Sequence, residues 1–260
     1  MKLTGIKKSY HSTKQLSDRN DLWLYYVIRK ISFYITWIFL KFGFSANQTT
    51  YIAIIVGLTG CGFIIYTDYK IKIIGTLLIN FWIVLDCVDG NIARYKKESS
   101  EYGEFIDSLG GYLMNALLFL SVGIGAFNCP EQSFRFICQL FIFNILNINE
   151  SILIILGAWS SITNILSRLI FQKYMNIFRT MKSTEIKPRS NANLSKSVYH
   201  KMYFIIHNIV SFSGFLTPIL FLATIFRLLN IFVIFYAIIN TGVLIATTSQ
   251  IILKACRMKR

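Results

Sequence analysis

Residues 71–92 read IKIIGTLLINFWIVLDCVDGNI, and this stretch decides what kind of molecule the chain forms. Its apolar run lasts about 20 residues, the length of helix that crosses a hydrocarbon layer about 30 Å thick. A soluble core of comparable size buries its apolar residues in short periodic stripes. Working outward, similar runs fall at about 49–67, 105–127, 151–172, 203–226 and 229–253, so six membrane-spanning helices are expected. Composition agrees: 54% of the 260 residues are hydrophobic and 15% are charged, with a mean hydropathy of +0.53. These values exclude a disordered chain, a fibre and a secreted scaffold. The expected fold is an all-α polytopic membrane protein.

Segment 22–44, LWLYYVIRKISFYITWIFLKFGF, sets Arg29, Lys30 and Lys41 among aromatic residues. That composition predicts an amphipathic juxtamembrane helix lying at the membrane surface. It closes a cytoplasmic N-terminal segment, 1–48, ahead of a six-helix domain, 49–260, with Ser45 or Asn47 as the cap of the first crossing. The polar, basic start of the chain does not read as a cleaved signal peptide.

On a soluble chain the net charge of +15 would point to nucleic acid; here it encodes topology. With the N-terminus inside, segments 1–48, 94–104, 168–202 and 254–260 hold 23 of the 27 Lys and Arg. Both termini are therefore expected in the cytoplasm, with Lys70, Lys72, Arg135 and Arg227 outside. Segment 133–148, short and punctuated by Asn, reads as a re-entrant or interfacial piece on the outer side. The five cysteines have no C-x-x-C spacing and the three histidines form no ligand pattern, so neither a disulfide framework nor zinc is expected.

Six of the twelve acidic residues lie between 86 and 107, at the cytoplasmic ends of the second and third crossings. Asp86 and Asp89, at i and i+3, share one helix face, and Asp107 approaches from the next helix. Carboxylates at the edge of hydrocarbon are costly unless paired or metal-bound. Three hard oxygen ligands suit Mg2+ or Mn2+ completed by water and phosphate. The plainer alternative is that the acids neutralise Arg94, Lys96 and Lys97 at a helix end. Gly90, Ala93 and Gly103 strip side-chain bulk from the same surface, either for close helix packing or to admit a large flat ligand.

Asp86-Cys-Val-Asp89-Gly90-Asn-Ile-Ala93-Arg94, then eight residues to Gly103 and three to Asp107, resembles the D-x2-D-G-x2-A-R-x8-G-x3-D-x3-D signature of the CDP-alcohol phosphotransferases. Seven of its eight defining positions agree. The start of the first crossing, Asn47-Gln48-Thr49, resembles the family's P-N-x-x-T, with Ala46 in place of proline. The resemblance implies that Asp86, Asp89 and Asp107 are catalytic metal ligands for Mg2+ or Mn2+. It implies that Gly90, Ala93 and Gly103 line the nucleotide pocket and that Arg94 contacts phosphate or braces the acids. The implied reaction passes a substituted phosphate from a CDP-alcohol donor to an alcohol acceptor, and CMP leaves, in phospholipid or cell-surface glycopolymer synthesis. A homodimer among membrane lipid is implied as well, with no nucleic-acid partner.

Position 111 departs from the signature. The family's last aspartate, the presumed general base and a ligand of the second metal, is replaced by Gly111. Three explanations stand side by side. The acceptor needs little deprotonation or a neighbour such as Glu104 replaces the base; the chain binds a CDP-linked ligand or lipid without turnover; or the residue was altered deliberately. An ion-path reading ranks last, because the acids stop at one membrane face. The basic stretch 168–202 reads first as a lipid-facing loop, with Arg168 or Lys173 as candidates for the anionic part of an acceptor. His207, Tyr112 and Asn115 are weaker candidates for the site. Richness in Ile, Lys, Asn and Phe suits a bacterial plasma membrane, with an organelle membrane as the alternative.

Overall fold

The computed structural model describes residues 3–10, 12–98, 100–128, 151–182 and 198–258, which form helices and turns and, among the described residues, no strand. Two short helices, α1 (Leu3–Lys8) and α2 (Ser12–Asp18), lead to a π-helical turn at Leu24–Ile28 that continues as α3 (Arg29–Lys41). Then come α4 (Ala46–Ile65), α5 (Tyr69–Lys96), α6 (Glu101–Phe127) and α7 (Ile152–Lys182). The chain closes with α8 (Val198–Val210), α9 (Leu216–Ile225) and α10 (Leu229–Met258). The expected re-entrant piece at 133–148 lies outside the described residues.

Five helices are long and apolar enough to cross a membrane: α4, α5, α6, the Ile152–Ile177 part of α7 and the Leu229–Leu253 part of α10. Ile55, Ile74, Leu77, Phe81, Ile155 and Ile162 point outward from them, surface that suits lipid and not water. The chain is a multi-pass membrane protein. The expected crossing at 203–226 is divided into α8 and α9 instead of forming one span. Pro218 has no N–H to continue a helix from Gly214, and proline is tolerated only in a first turn, where it sits in α9. The Phe215 N–H instead donates to the Asn208 carbonyl at 2.6 Å.

Helix ends follow local chemistry. Ser45 and Gln48 form a reciprocal capping box at the start of α4, so Ser45 and not Asn47 is the cap. The Ser100 hydroxyl accepts from the Gly103 N–H at 3.0 Å to begin α6, whose first turn carries Glu101 and Glu104. Negative charge there complements the helix dipole. Between them α5 stops at Lys97 in the left-handed region (φ 57°). The short turn that results holds the inner end of α5 beside that of α6.

In the bundle α5 packs against α3, α4 and α9, while α6 packs against α4, α7 and α10. The α6–α7 crossing is made by two glycines: a Cβ at Gly157 would lie 2.6 Å from the Phe119 carbonyl and 2.8 Å from the Gly123 Cα. Both obstacles are backbone, so the helices themselves would have to part. Gly157→Val should cost about 1–3 kcal/mol, read as a lower thermal midpoint in detergent. Gly242→Ala, where an added Cβ meets nothing within 4 Å, should leave that midpoint unchanged.

The N-terminal segment is tied into the bundle. Arg29, expected among the interfacial cations, is buried and pairs with Asp18 at 2.5 Å. Asp18 also accepts from the Tyr10 hydroxyl at 2.6 Å. Burial first, and then that hydrogen bond, push the Tyr10 phenol well above its usual value, so it remains a donor. A second tie joins Asp21 to His207 at 3.1 Å and Leu22 N–H to Asn208 Oδ1 at 2.8 Å. Burial favours the neutral acid at Asp21, but His207 and the Ser213 and Ser211 hydroxyls outweigh it and hold that carboxyl below its usual value.

Candidate active site

The last turns of α5 carry Asp86 and Asp89, and the second turn of α6 carries Asp107. The structure brings these three acids together. Asp89 is buried; its Oδ2 accepts from Thr50 Oγ1 on α4 at 2.7 Å and its Oδ1 from the Gly90 N–H. Asp86 and Asp107 are electrostatic neighbours of one another and of Asp89. Asp86 is accessible to solvent although protein crowds it closely, the combination that marks the wall of a recess. Three helices therefore present three carboxylates to one open space, α4 by fixing the orientation of Asp89.

Arg94 does not reach into that space. Its guanidinium folds back over Gly90, where an added Cβ would lie 3.2 Å from Arg94 Nη1, and donates to Asn91 Oδ1 at 2.8 Å. Asn91 in turn donates to Ser32 and Thr36 on α3 at 3.2 and 3.1 Å and accepts from Arg29. Gly90 thus makes room for Arg94, and Arg94 ties α5 to the buried N-terminal network. Gly103 lies against α4, its missing Cβ leaving space for Asn47 Oδ1 2.9 Å away. Ala93 is half-buried on the same turns of α5. A cavity of about 280 Å³ lined by Ser45, Ala46, Asn47, Glu98 and Ser100 opens at this end of the bundle.

At position 111 the structure supplies a cation. Arg168 of α7 lies over Gly111, with Nη2 3.5 Å from where a Cβ would stand, and its guanidinium sits 5.8 Å from the Tyr112 ring centroid. Asp86 and Asp107 both feel its charge. They also feel that of Lys14 on α2, which pairs with Asp18 at 3.3 Å. Glu104 is exposed one turn from Asp107 and within its electrostatic reach. His207 is engaged with Asp21 instead, and Asn115 donates to the Gly111 carbonyl of its own helix at 2.6 Å.

Thr50, Asn91 and Lys14 were not singled out from sequence. Thr50 had a signal: it occupies the threonine place of the P-N-x-x-T pattern counted from Asn47. Lys14 had none, since nothing local ties α2 to α5.

The donor chemistry fits one hard divalent cation, because carboxylate oxygens from two helices face a shared recess. It does not fit two, since the place of a further carboxylate is a glycine beneath a guanidinium. Among the described residues no three His, Cys, Asp or Glu side chains are gathered closely enough to hold an ion as they stand.

The sequence model of the CDP-alcohol phosphatidyltransferase family matches residues 44–182, more than half of the chain, and the protein belongs to that family. The match covers α4 to α7 and so takes in the three acids, Gly111 and Arg168. The family is one of transferases that move phosphate-linked groups from CDP-alcohols. A comparison with the curated proteins finds no match.

Proposed function

We propose that this protein transfers a substituted phosphate from a CDP-alcohol to an alcohol acceptor at the cytoplasmic face of a membrane, releasing CMP in the synthesis of a phospholipid or cell-surface glycopolymer. The observation that carries this reading is the convergence of Asp86, Asp89 and Asp107 on one recess, with Asp89 oriented by Thr50. The acceptor oxygen bonds to the β-phosphorus of the donor as the bond from that phosphorus to the CMP oxygen breaks. Asp86, Asp89 and Asp107 hold Mg2+ or Mn2+, which when bound neutralises the pyrophosphate and stabilises the leaving oxygen. The nucleotide lies along Gly90, Ala93 and Gly103 toward the cavity at Asn47, and Arg94 braces the acidic helix. Glu104 takes the acceptor's proton in place of the missing carboxylate.

The pair α8 and α9 extends from its ties to Asp21 and Leu22 to Ile225, whose carbonyl accepts from the Tyr69 hydroxyl at the other end of α5. This favours a broken sixth crossing. With six crossings the basic segments fall on one side, both termini and the site are cytoplasmic, and α3 is the juxtamembrane helix of an N-terminal segment ending near 48. A homodimer in a bacterial plasma membrane completes the proposal.

The test is CMP release by purified protein in detergent with Mg2+ or Mn2+ and a panel of CDP-alcohols and acceptors. Release dependent on both substrates is the expected result, and its absence across the panel overturns the reading. Glu104→Gln should lower the turnover by about 10²-fold with little change in donor KM. Gly111 favours a second reading, a member that binds a CDP-linked ligand without turnover. That reading predicts nucleotide binding, silence from the natural chain, and activity only once a carboxylate is restored at position 111.

A further inference from the structure

Gly111 and Asp107 are four residues apart, so they share one face of α6, and a carboxylate at 111 would stand directly above Asp107. The side chain found over that face is Arg168, delivered from α7 through the close Gly123–Gly157 crossing. Its Nη2 lies 3.5 Å from the missing Cβ, an ordinary van der Waals distance. A larger acidic side chain at 111 would run into the guanidinium, so the glycine and the arginine fit one another as a pair.

Charge gives the pair its meaning. Asp86, Asp89 and Asp107 with Arg168 carry a net formal charge of −2, which one divalent cation balances. Four carboxylates without the arginine would carry −4 and call for two. We propose that Arg168 replaces, in place and in charge, the second cation of the site, so that this chain binds a single divalent ion. Arg168 is then a positioning residue: its fixed guanidinium holds Asp107 toward the remaining ion and presents a donor where the second ion would have met the acceptor. Tyr112, whose ring lies beneath the guanidinium, supports the cation from below. This inference rests on the metal-dependent reading above.

The experiment is Mn2+ titration of the full-length protein in detergent, followed by EPR, with size exclusion to confirm folding of each variant. The natural chain should bind one Mn2+ with an uncoupled spectrum, and Asp86→Asn should lose it. Arg168→Gln should tighten that binding by about tenfold or more, because it removes a nearby positive charge, whereas Arg168→Lys should leave it within a fewfold. Gly111→Asp combined with Arg168→Gln should bind two Mn2+ with the broadened spectrum of coupled ions. Two coupled ions in the natural chain, or one ion in the double variant, overturn the inference and leave the metal-dependent reading standing. No Mn2+ bound by the natural chain overturns that reading and the inference together.

Discussion

Asp107→Ala is expected to remove CMP release, a loss of at least about 10³-fold in kcat, the upper range for deleting one preorganised electrostatic group. The side chain is exposed at the mouth of the recess and makes no cap and no helix contact of its own. The stability cost should therefore stay within about 0.5 kcal/mol. An unchanged thermal midpoint beside abolished turnover would separate chemistry from folding. Normal turnover by this variant would mean that the acids are not the reacting centre, and that the family's chemistry has moved elsewhere in the bundle.

The largest stability effect belongs to Asp18. It is 3% exposed, accepts from Tyr10 and Arg29, and pairs with Lys14. Asp18→Ala leaves the Arg29 guanidinium buried without its carboxylate, which should cost about 3–5 kcal/mol. Thermal unfolding in detergent measures it. The double change Asp18→Leu with Arg29→Met should recover most of the loss, since the penalty lies in the orphaned charge and not in the absence of an ion pair. A double variant as unstable as the single one would show that the pair is needed for geometry, through Asn91 and the helix that carries the acids.

Much of the site was legible because its pieces are close in sequence. Asp86 and Asp89 lie one helical turn apart, and the turn to α6 is short, so helix periodicity alone brings Asp107 near them. Arg168 could be named from sequence as a candidate, but not placed. Only the packing of α7 on α6 puts it over Gly111, 57 residues earlier in the chain. Arg29 misled for a related reason: a cation among aromatic residues reads as interfacial, and its partner Asp18 sits in a polar stretch with no periodic signal. The divided helix at 211–215 carried its own warning in Gly214 and Pro218, which the apolar count across 203–226 outweighed. Thr49 and Thr50 are adjacent and chemically identical. Only the face each takes on α4 decides that one bonds the Ser45 carbonyl and the other Asp89.

The tie between Leu22 and Asn208 spans 186 residues of chain, and that separation has a consequence for biogenesis. At the pace of synthesis, about 5–20 residues per second, residue 22 waits on the order of ten to forty seconds before its partner is made. During that interval the acidic ends of α5 and α6 are already inserted, while the segment bearing Arg29 lacks its second anchor. A quality-control protease or insertion factor acting on the nascent chain would therefore meet an unfastened N-terminus on every molecule, and only the arrival of α8 would hide it.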